Sequence, residues 1–302
     1  MTPSNPLRDE SGSTPLESTA HIMNRITTQL GSQLALVSLD GRRRPAPRRP
    51  APAPDLVVVA HGSRDPRALA TVTALLARVR ELRPGLGVRL GHIELNEPLL
   101  GDALAAATGS AVLVPLLLAR GYHVKHDIPE AAARAPHLDT RVAAPLGPHP
   151  LLVDALHDRL VEAGWPARPG QAGRRTGGVV LAAAGSRDPD SAADTRRTAD
   201  LLAQRLGVPV LPAYATPTAA TPLSVPAAVR ALAARGRHHT AVASYFTAPG
   251  RFATQCADAA PWIASAPLGV HQAMAQLLLH RYDQARATSP ATWAPARRLT
   301  SA

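Results

Sequence analysis

Cysteine is nearly absent. Cys256 stands alone among 302 residues, which excludes an intramolecular disulfide and an all-thiolate metal site, so a bound metal has to rely mainly on His, Asp or Glu. The same scarcity points to a cytoplasmic setting. No run approaches the roughly 18 apolar residues that a membrane-spanning helix needs, although an apolar content of 45% is that of an ordinary globular chain. The first apolar-leaning stretch, Ile22 to Val37, is broken by Asn, Arg, Thr, Gln and Ser and carries no signal-peptide core. Among 33 Lys plus Arg only Lys125 is a lysine, and aromatic residues make up 3%. So lopsided a ratio reads as compositional bias, and without interleaved aromatics the formal charge of +11 is not a nucleic-acid-binding pattern. A small polyanionic substrate fits that charge better, with neither nucleic acid nor membrane as partner.

Residues 1–54 read as a tail. Its Arg42-Arg43-Arg44-Pro45-Ala46-Pro47-Arg48-Arg49-Pro50 stretch favours extended conformations and cannot bury a core, although Met23 to Leu39 is compatible with a short amphipathic helix. At Leu56 the texture changes. Leu56-Val57-Val58-Val59-Ala60 has the apolar, β-branched character of a buried parallel strand. After His61-Gly62-Ser63-Arg64, Asp65 and Pro66 are the N-cap and first residue of a helix whose apolar face is Leu69, Val72, Leu75, Leu76 and Val79. Strands are predicted near Val88 to Leu95, Ala111 to Leu118 and Arg141 to Ala144, with helices around Leu99 to Ala107, Pro129 to Ala135 and Pro150 to Ala163. Such alternation predicts an α/β fold with a parallel sheet. A Pro/Gly-rich linker over 165–177 follows.

The sequence then repeats. Val179-Val180-Leu181-Ala182-Ala183-Ala184-Gly185-Ser186-Arg187-Asp188-Pro189 restates Leu56 to Pro66, with Gly-Ser-Arg-Asp-Pro identical in both. Strands near Val208 to Tyr214 and Thr240 to Phe246 follow, with helices around Ala192 to Leu206, Pro222 to Ala234, Gly250 to Ala259 and Leu268 to Arg286. The boundaries are therefore a first domain at 55–164, a linker at 165–177, a second domain at 178–286 and a terminal tail at 287–302: two copies of one module, as duplication of a dimer-forming ancestor would leave.

Scaffold residues should persist in both copies, whereas one active site needs its chemical groups in only one. His61 is matched by Ala184. Matching Gly121 to Gly250 sets His123 against Phe252, and matching Pro98 to Pro222 sets Glu94 and Glu97 against Thr218 and Thr221. His61, Glu94 and His123 each fall at or beyond the carboxyl end of a strand, where parallel α/β sheets bind ligands. Two imidazoles and a carboxylate suit a divalent first-row metal. Blander roles fit their neighbours: His92 at the sheet edge, Glu97 as a first-turn charge, His126 as an exposed residue beside His123, and His238-His239 as a solvated loop pair.

Ala-His-Gly-Ser-Arg at 60–64, Ile-Glu-Leu-Asn-Glu-Pro at 93–98, and Val-Pro-Leu-Leu-Leu at 114–118 leading into His-Val-Lys-His-Asp-Ile-Pro at 123–129 resemble the sirohydrochlorin chelatases of siroheme and cobalamin biosynthesis, of the two-domain class II kind. The resemblance spans Leu56 to Arg286. Arg120 and Tyr122 depart from the family pattern, which has smaller residues beside Gly121. The resemblance implies two tandem chelatase-like, Rossmann-like α/β domains, each a small parallel sheet flanked by helices, facing each other across a cleft. It implies a lyase that inserts Fe²⁺ or Co²⁺ into sirohydrochlorin, a polycarboxylate tetrapyrrole. His61 and His123 would be the paired metal-binding and catalytic histidines and Glu94 the accompanying carboxylate, with no permanently bound cofactor. Ser63 and Arg64, at a helix N-terminus, and Arg120 and Lys125 are candidates for the substrate carboxylates. The chain is expected to work as a monomer with two pseudo-symmetric halves. Absence of a His-rich tract leans towards Fe²⁺. Two other readings fit the same residues: a carrier of metal or tetrapyrrole without turnover, and a metal-dependent hydrolase with a pocket too small for a macrocycle.

Overall fold

The structure, a computed structural model, describes Met23, residues 25–30, 53–168 and 170–288. The chain divides into two units, Met1–Pro52 and Ala53–Ala302. In the first, residues 25–30 are helical, within the helix expected from Met23 to Leu39. The Arg/Pro cluster and the terminal tail beyond Thr288 lie outside the described residues.

The second unit begins with β1 (Asp55–Ala60), α1 (Pro66–Leu82), β2 (Val88–His92), α2 (Leu100–Ala105) and β3 (Ser110–Pro115). A π-helical turn over His123–Asp127 runs into α3 (Ile128–Ala133), followed by β4 (Asp139–Val142) and α4 (Pro150–Glu162). The expected linker is partly structured: Trp165 is buried and α5 (Gln171–Thr176) forms within it. The second copy comprises β5 (Gly177–Ala183), α6 (Pro189–Leu206), β6 (Val210–Tyr214), α7 (Val225–Ala233), β7 (His239–Ser244), α8 (Arg251–Ala257), β8 (Ile263–Ala264) and α9 (Gln272–Ala287). His239, though exposed, thus begins a strand, meets the Trp262 ring edge to face and contacts the Thr176 hydroxyl, rather than lying in a loop.

Every strand pairing is parallel, in the orders β2-β1-β3-β4 and β6-β5-β7-β8. In both copies the helix following the first strand starts where Asp65 or Asp188 accepts a hydrogen bond from the backbone two residues on, with Pro next in the chain. With β1 and β5 central, the chain leaves them in one direction and returns on the other side, opening a crevice at their carboxyl ends.

Alternation along the central strands decides how the halves meet. Leu56, Val58 and Ala60 join Val179, Leu181 and Ala183 in one continuous core that spans both halves. Val57 and Val59 face a core private to the first half, and Val180 and Ala182 one private to the second. Period-two side chains thus give each sheet one shared face and one private face.

The last helix of each copy covers the other copy's sheet: α4 packs on α6 and β7, and α9 on α1 and β3. The domain boundaries read from the repeat therefore cut through an exchanged pair of helices. Residues 53–168 expressed alone are expected to be either unfolded or dimeric, because a lone copy exposes the shared face and has nothing for α4 to cover. Light scattering on that fragment, with a folded monomer as the contrary result, checks this.

Candidate active site

The loops after β1 and β2 touch through their backbones. The Glu94 N–H donates to the His61 carbonyl at 3.0 Å. A Cβ on Gly62, which has φ +104°, would lie 1.8 Å from the Glu94 carbonyl oxygen, so only glycine fits. Leu95, at φ 70°, is the non-glycine residue with positive φ among those described, and it turns the chain beside the cavity. This contact carries the His61 Nδ1 to 3.4 Å from Glu94 Oε1.

The second imidazole is held differently. The π-helical turn closes with a bond from the Ile128 N–H to the His123 carbonyl, five residues back. It sets His123 Nδ1 2.5 Å from Asp127 Oδ2. An ionised carboxylate only accepts, so the nitrogen facing it, Nδ1, carries a proton, and in the neutral ring the lone pair is on Nε2. The two rings stand edge to face, with centroids 4.8 Å apart. The arrangement is thus two imidazole–carboxylate pairs, His61–Glu94 and His123–Asp127. Asp127 carries no role in the sequence reading; its signal was the four-residue spacing from His123. Glu94 meets an imidazole nitrogen here, whereas the sequence reading made it a metal ligand. Among the described residues no group of three or more His, Cys, Asp or Glu is arranged to hold a metal ion.

His61, Glu94 and His123 line a cavity of about 860 Å³ built from both halves, and Asp127 holds His123 from outside that lining. The halves interlock around it with pseudo-two-fold symmetry: Gly121 lies against the Ser186 hydroxyl and Gly250 against that of Ser63. Tyr245, whose phenol burial pushes well above the usual tyrosine range, donates to the Leu118 carbonyl of the other half. These contacts support the match of Gly121 to Gly250, and hence of His123 to Phe252. The match of Glu94 to Thr218 requires correction. Thr216 donates its N–H to Ala184 as Glu94 does to His61, and its carbonyl abuts Gly185 as that of Glu94 abuts Gly62. The second-copy loop is longer beyond that point, so anchoring on Pro98 misplaced the register.

Several proposed substrate contacts are already engaged within the protein. The Ser63 hydroxyl accepts from the Asp65 N–H and the Ser63 N–H donates to Asn96, and Ser186 repeats the arrangement with Asp188 and Thr221. Ser63 is therefore part of the shared loop scaffold, and the helix terminus beside it is capped by Asp65. Arg120 and Lys125 fall outside the cavity lining. Arg120 bonds Asp194 in the other half at 2.7 Å, which raises its guanidinium pKa, and its N–H donates to the same carboxylate. Lys125 bonds Asp188 and Asp190 at 2.7 and 2.8 Å, which raises the ammonium pKa and lowers those of both carboxylates. Assigning these two to substrate therefore needs correction: protein carboxylates already hold them, across the interface between the copies. Arg64 does line the cavity, and among the described residues no carboxylate pairs with it. His92 is buried beside the Pro98 carbonyl, and Glu97 accepts from the Leu99 N–H, both structural roles. His126 stacks on the exposed Tyr122. Cys256 is buried, which pushes its thiol up to about 11 and keeps it out of metal chemistry.

Two parallel α/β modules, interlocked around one cavity with paired histidines on a single side, define a tandem α/β protein of the chelatase type. The chain belongs to the CbiX family, whose model matches residues 55–163 and again 178–285. The sirohydrochlorin ferrochelatase of Bacillus subtilis is 32% identical over 171 residues, which cover 53% of this chain and 62% of that protein. The sirohydrochlorin cobaltochelatase of Methanococcoides burtonii is 29% identical over 123 residues, 35% of this chain and 94% of that protein. Among solved structures, SirB from Bacillus subtilis with Fe³⁺ superposes with a TM-score of 0.64 at 25% identity, covering 78% of this chain and 96% of that one. SirB from Bacillus subtilis subspecies spizizenii in complex with cobalt has a TM-score of 0.59 at 25% identity, covering 77% and 95%.

Proposed function

We propose that this protein is a sirohydrochlorin chelatase, a lyase that inserts Fe²⁺ or Co²⁺ into sirohydrochlorin and releases two protons. The observation that carries this is the pair of imidazoles, 4.8 Å apart, on the wall of a cavity of about 860 Å³. That volume lies near the top of the roughly 300–1,000 Å³ usual for small-molecule sites, which suits a large ligand better than a small one. The metal is a substrate. It has to be held weakly and passed on, and two nitrogen donors leave most coordination positions open for the pyrrole nitrogens.

Metallation removes two N–H protons from the macrocycle as the ion enters. Imidazole, with an ordinary pKa of about 6.5, is a competent acceptor at neutral pH. With Nδ1 facing Glu94 or Asp127, the Nε2 of His61 or His123 is the atom that binds the ion or takes a proton. Nitrogen and oxygen ligands do not distinguish Fe²⁺ from Co²⁺, and relatives carry names for both activities. The fused, exchanged halves suit a monomer, and the near-absence of cysteine suits the cytoplasm.

The test is turnover. Sirohydrochlorin and Co²⁺ or Fe²⁺ with protein at about one hundredth of the substrate should be fully metallated, followed by absorbance, faster than without protein. Metallation or binding that stops at one equivalent per protein identifies a carrier instead.

A further inference from the structure

Comparing the copies position by position shows what the second one became. His61 and Glu94 are replaced by Ala184 and Thr216; His123 and Asp127, carried along from the Gly121–Gly250 match, are replaced by Phe252 and Cys256. Both imidazole–carboxylate pairs are gone. One position moved the other way: Tyr122 is replaced by Arg251, which is the charged residue that the second half contributes to the cavity lining.

Arg251 opens α8, is exposed, and holds its guanidinium 5.1 Å over the Phe252 ring. Stacking fixes the plane of the guanidinium and leaves its N–H donors available. Among the described residues no carboxylate pairs with Arg251, just as none pairs with Arg64 on the opposite half. The contrast with Arg120 and Lys125 is direct, since those cations are consumed by Asp188, Asp190 and Asp194.

We propose that Arg251, stacked on Phe252, is a substrate-binding residue that anchors a carboxylate of the macrocycle, so that the first half of the duplication handles the metal and the second the tetrapyrrole. This rests on the chelatase reading for the identity of the macrocycle. Loss of the Glu94 carboxylate and gain of a guanidinium turns that wall towards anions, and the Phe252 ring adds an apolar face where His123 would have placed a metal ligand.

The experiment compares wild type with Arg251→Gln and Arg251→Lys. Affinity for metal-free sirohydrochlorin, and for uroporphyrin as a non-substrate polycarboxylate, is read by absorbance titration, alongside the KM values for sirohydrochlorin and Co²⁺. Arg251→Gln should weaken binding of both macrocycles and raise the sirohydrochlorin KM about tenfold, with kcat and the Co²⁺ KM within about threefold of wild type. Arg251→Lys, which keeps the charge without the planar fork, should recover part of the loss. Macrocycle affinities within twofold of wild type in Arg251→Gln overturn the proposal, as does an equal rise in the Co²⁺ KM. Wild type that binds both macrocycles through Arg251 but never metallates sirohydrochlorin overturns the chelatase reading and upholds the anchor.

Discussion

His123→Ala is expected to slow metal insertion by at least about a hundredfold, the lower end of what a positioned proton carrier contributes, and His61→Ala comparably. Each removes one of two nitrogen donors whose rings are 4.8 Å apart, and neither has a replacement in the second copy, where Ala184 and Phe252 occupy the matching positions. Asp127→Asn tests how the ring is held. The His123 Nδ1 then faces an amide instead of an ionised carboxylate, losing charge support for the imidazolium and part of the restraint on the tautomer, so a drop of about 10–100-fold follows. Phe252→His should restore nothing, because Cys256 stands where Asp127 would be needed. Initial rates of sirohydrochlorin metallation measure all four variants; wild-type rates in both His61→Ala and His123→Ala would remove these residues from the mechanism.

Gly62→Ala and Gly185→Ala should destabilise the protein alike and differ in catalysis. Both glycines have φ +104°, and an added Cβ would sit 1.8 Å from the Glu94 carbonyl in one case and 2.1 Å from that of Thr216 in the other. Backbone has to move apart in each, at a cost of about 2–4 kcal/mol. At roughly 2–4 °C per kcal/mol for a protein of this size, the melting temperature should fall by several degrees. Only Gly62→Ala displaces the loops that carry the proposed site, because Glu94 and the His61 carbonyl share that contact. Its rate per folded molecule should fall more than tenfold, while Gly185→Ala loses at most a few-fold, since Ala184 and Thr216 hold no reacting group. Thermal unfolding alongside metallation rates separates the two effects; equal catalytic losses would mean that the second-copy loop has chemistry of its own.

The strand-to-helix junctions were legible because their signals are local: β-branched runs, an Asp-Pro helix start, and glycine where φ is positive. Strand existence was readable, yet Leu95 and Leu118 were expected inside strands that end at His92 and Pro115, because an apolar run marks burial and does not say where a sheet edge releases the chain. His61, Glu94 and His123 were legible because the duplication supplies its own comparison. The Glu94 match failed at a loop whose length differs between copies, where one shared proline could not fix the register.

By itself the sequence determined the α/β class, the duplication, the side of the cavity that carries the imidazoles, and the exclusion of an intramolecular disulfide and an all-thiolate metal site by a lone cysteine. Only the tertiary structure decided which cations are free for substrate. Arg64, Arg120, Lys125 and Arg251 look alike in a sequence, but Asp188, Asp190 and Asp194 lie 63 or more positions away from the groups they neutralise. The exchange of α4 and α9 is likewise a tertiary decision. A buried face shows in the alternation of side chains, whereas the identity of the surface that covers it depends on contacts between elements far apart in the chain, α4 with α6 and β7 and α9 with α1 and β3.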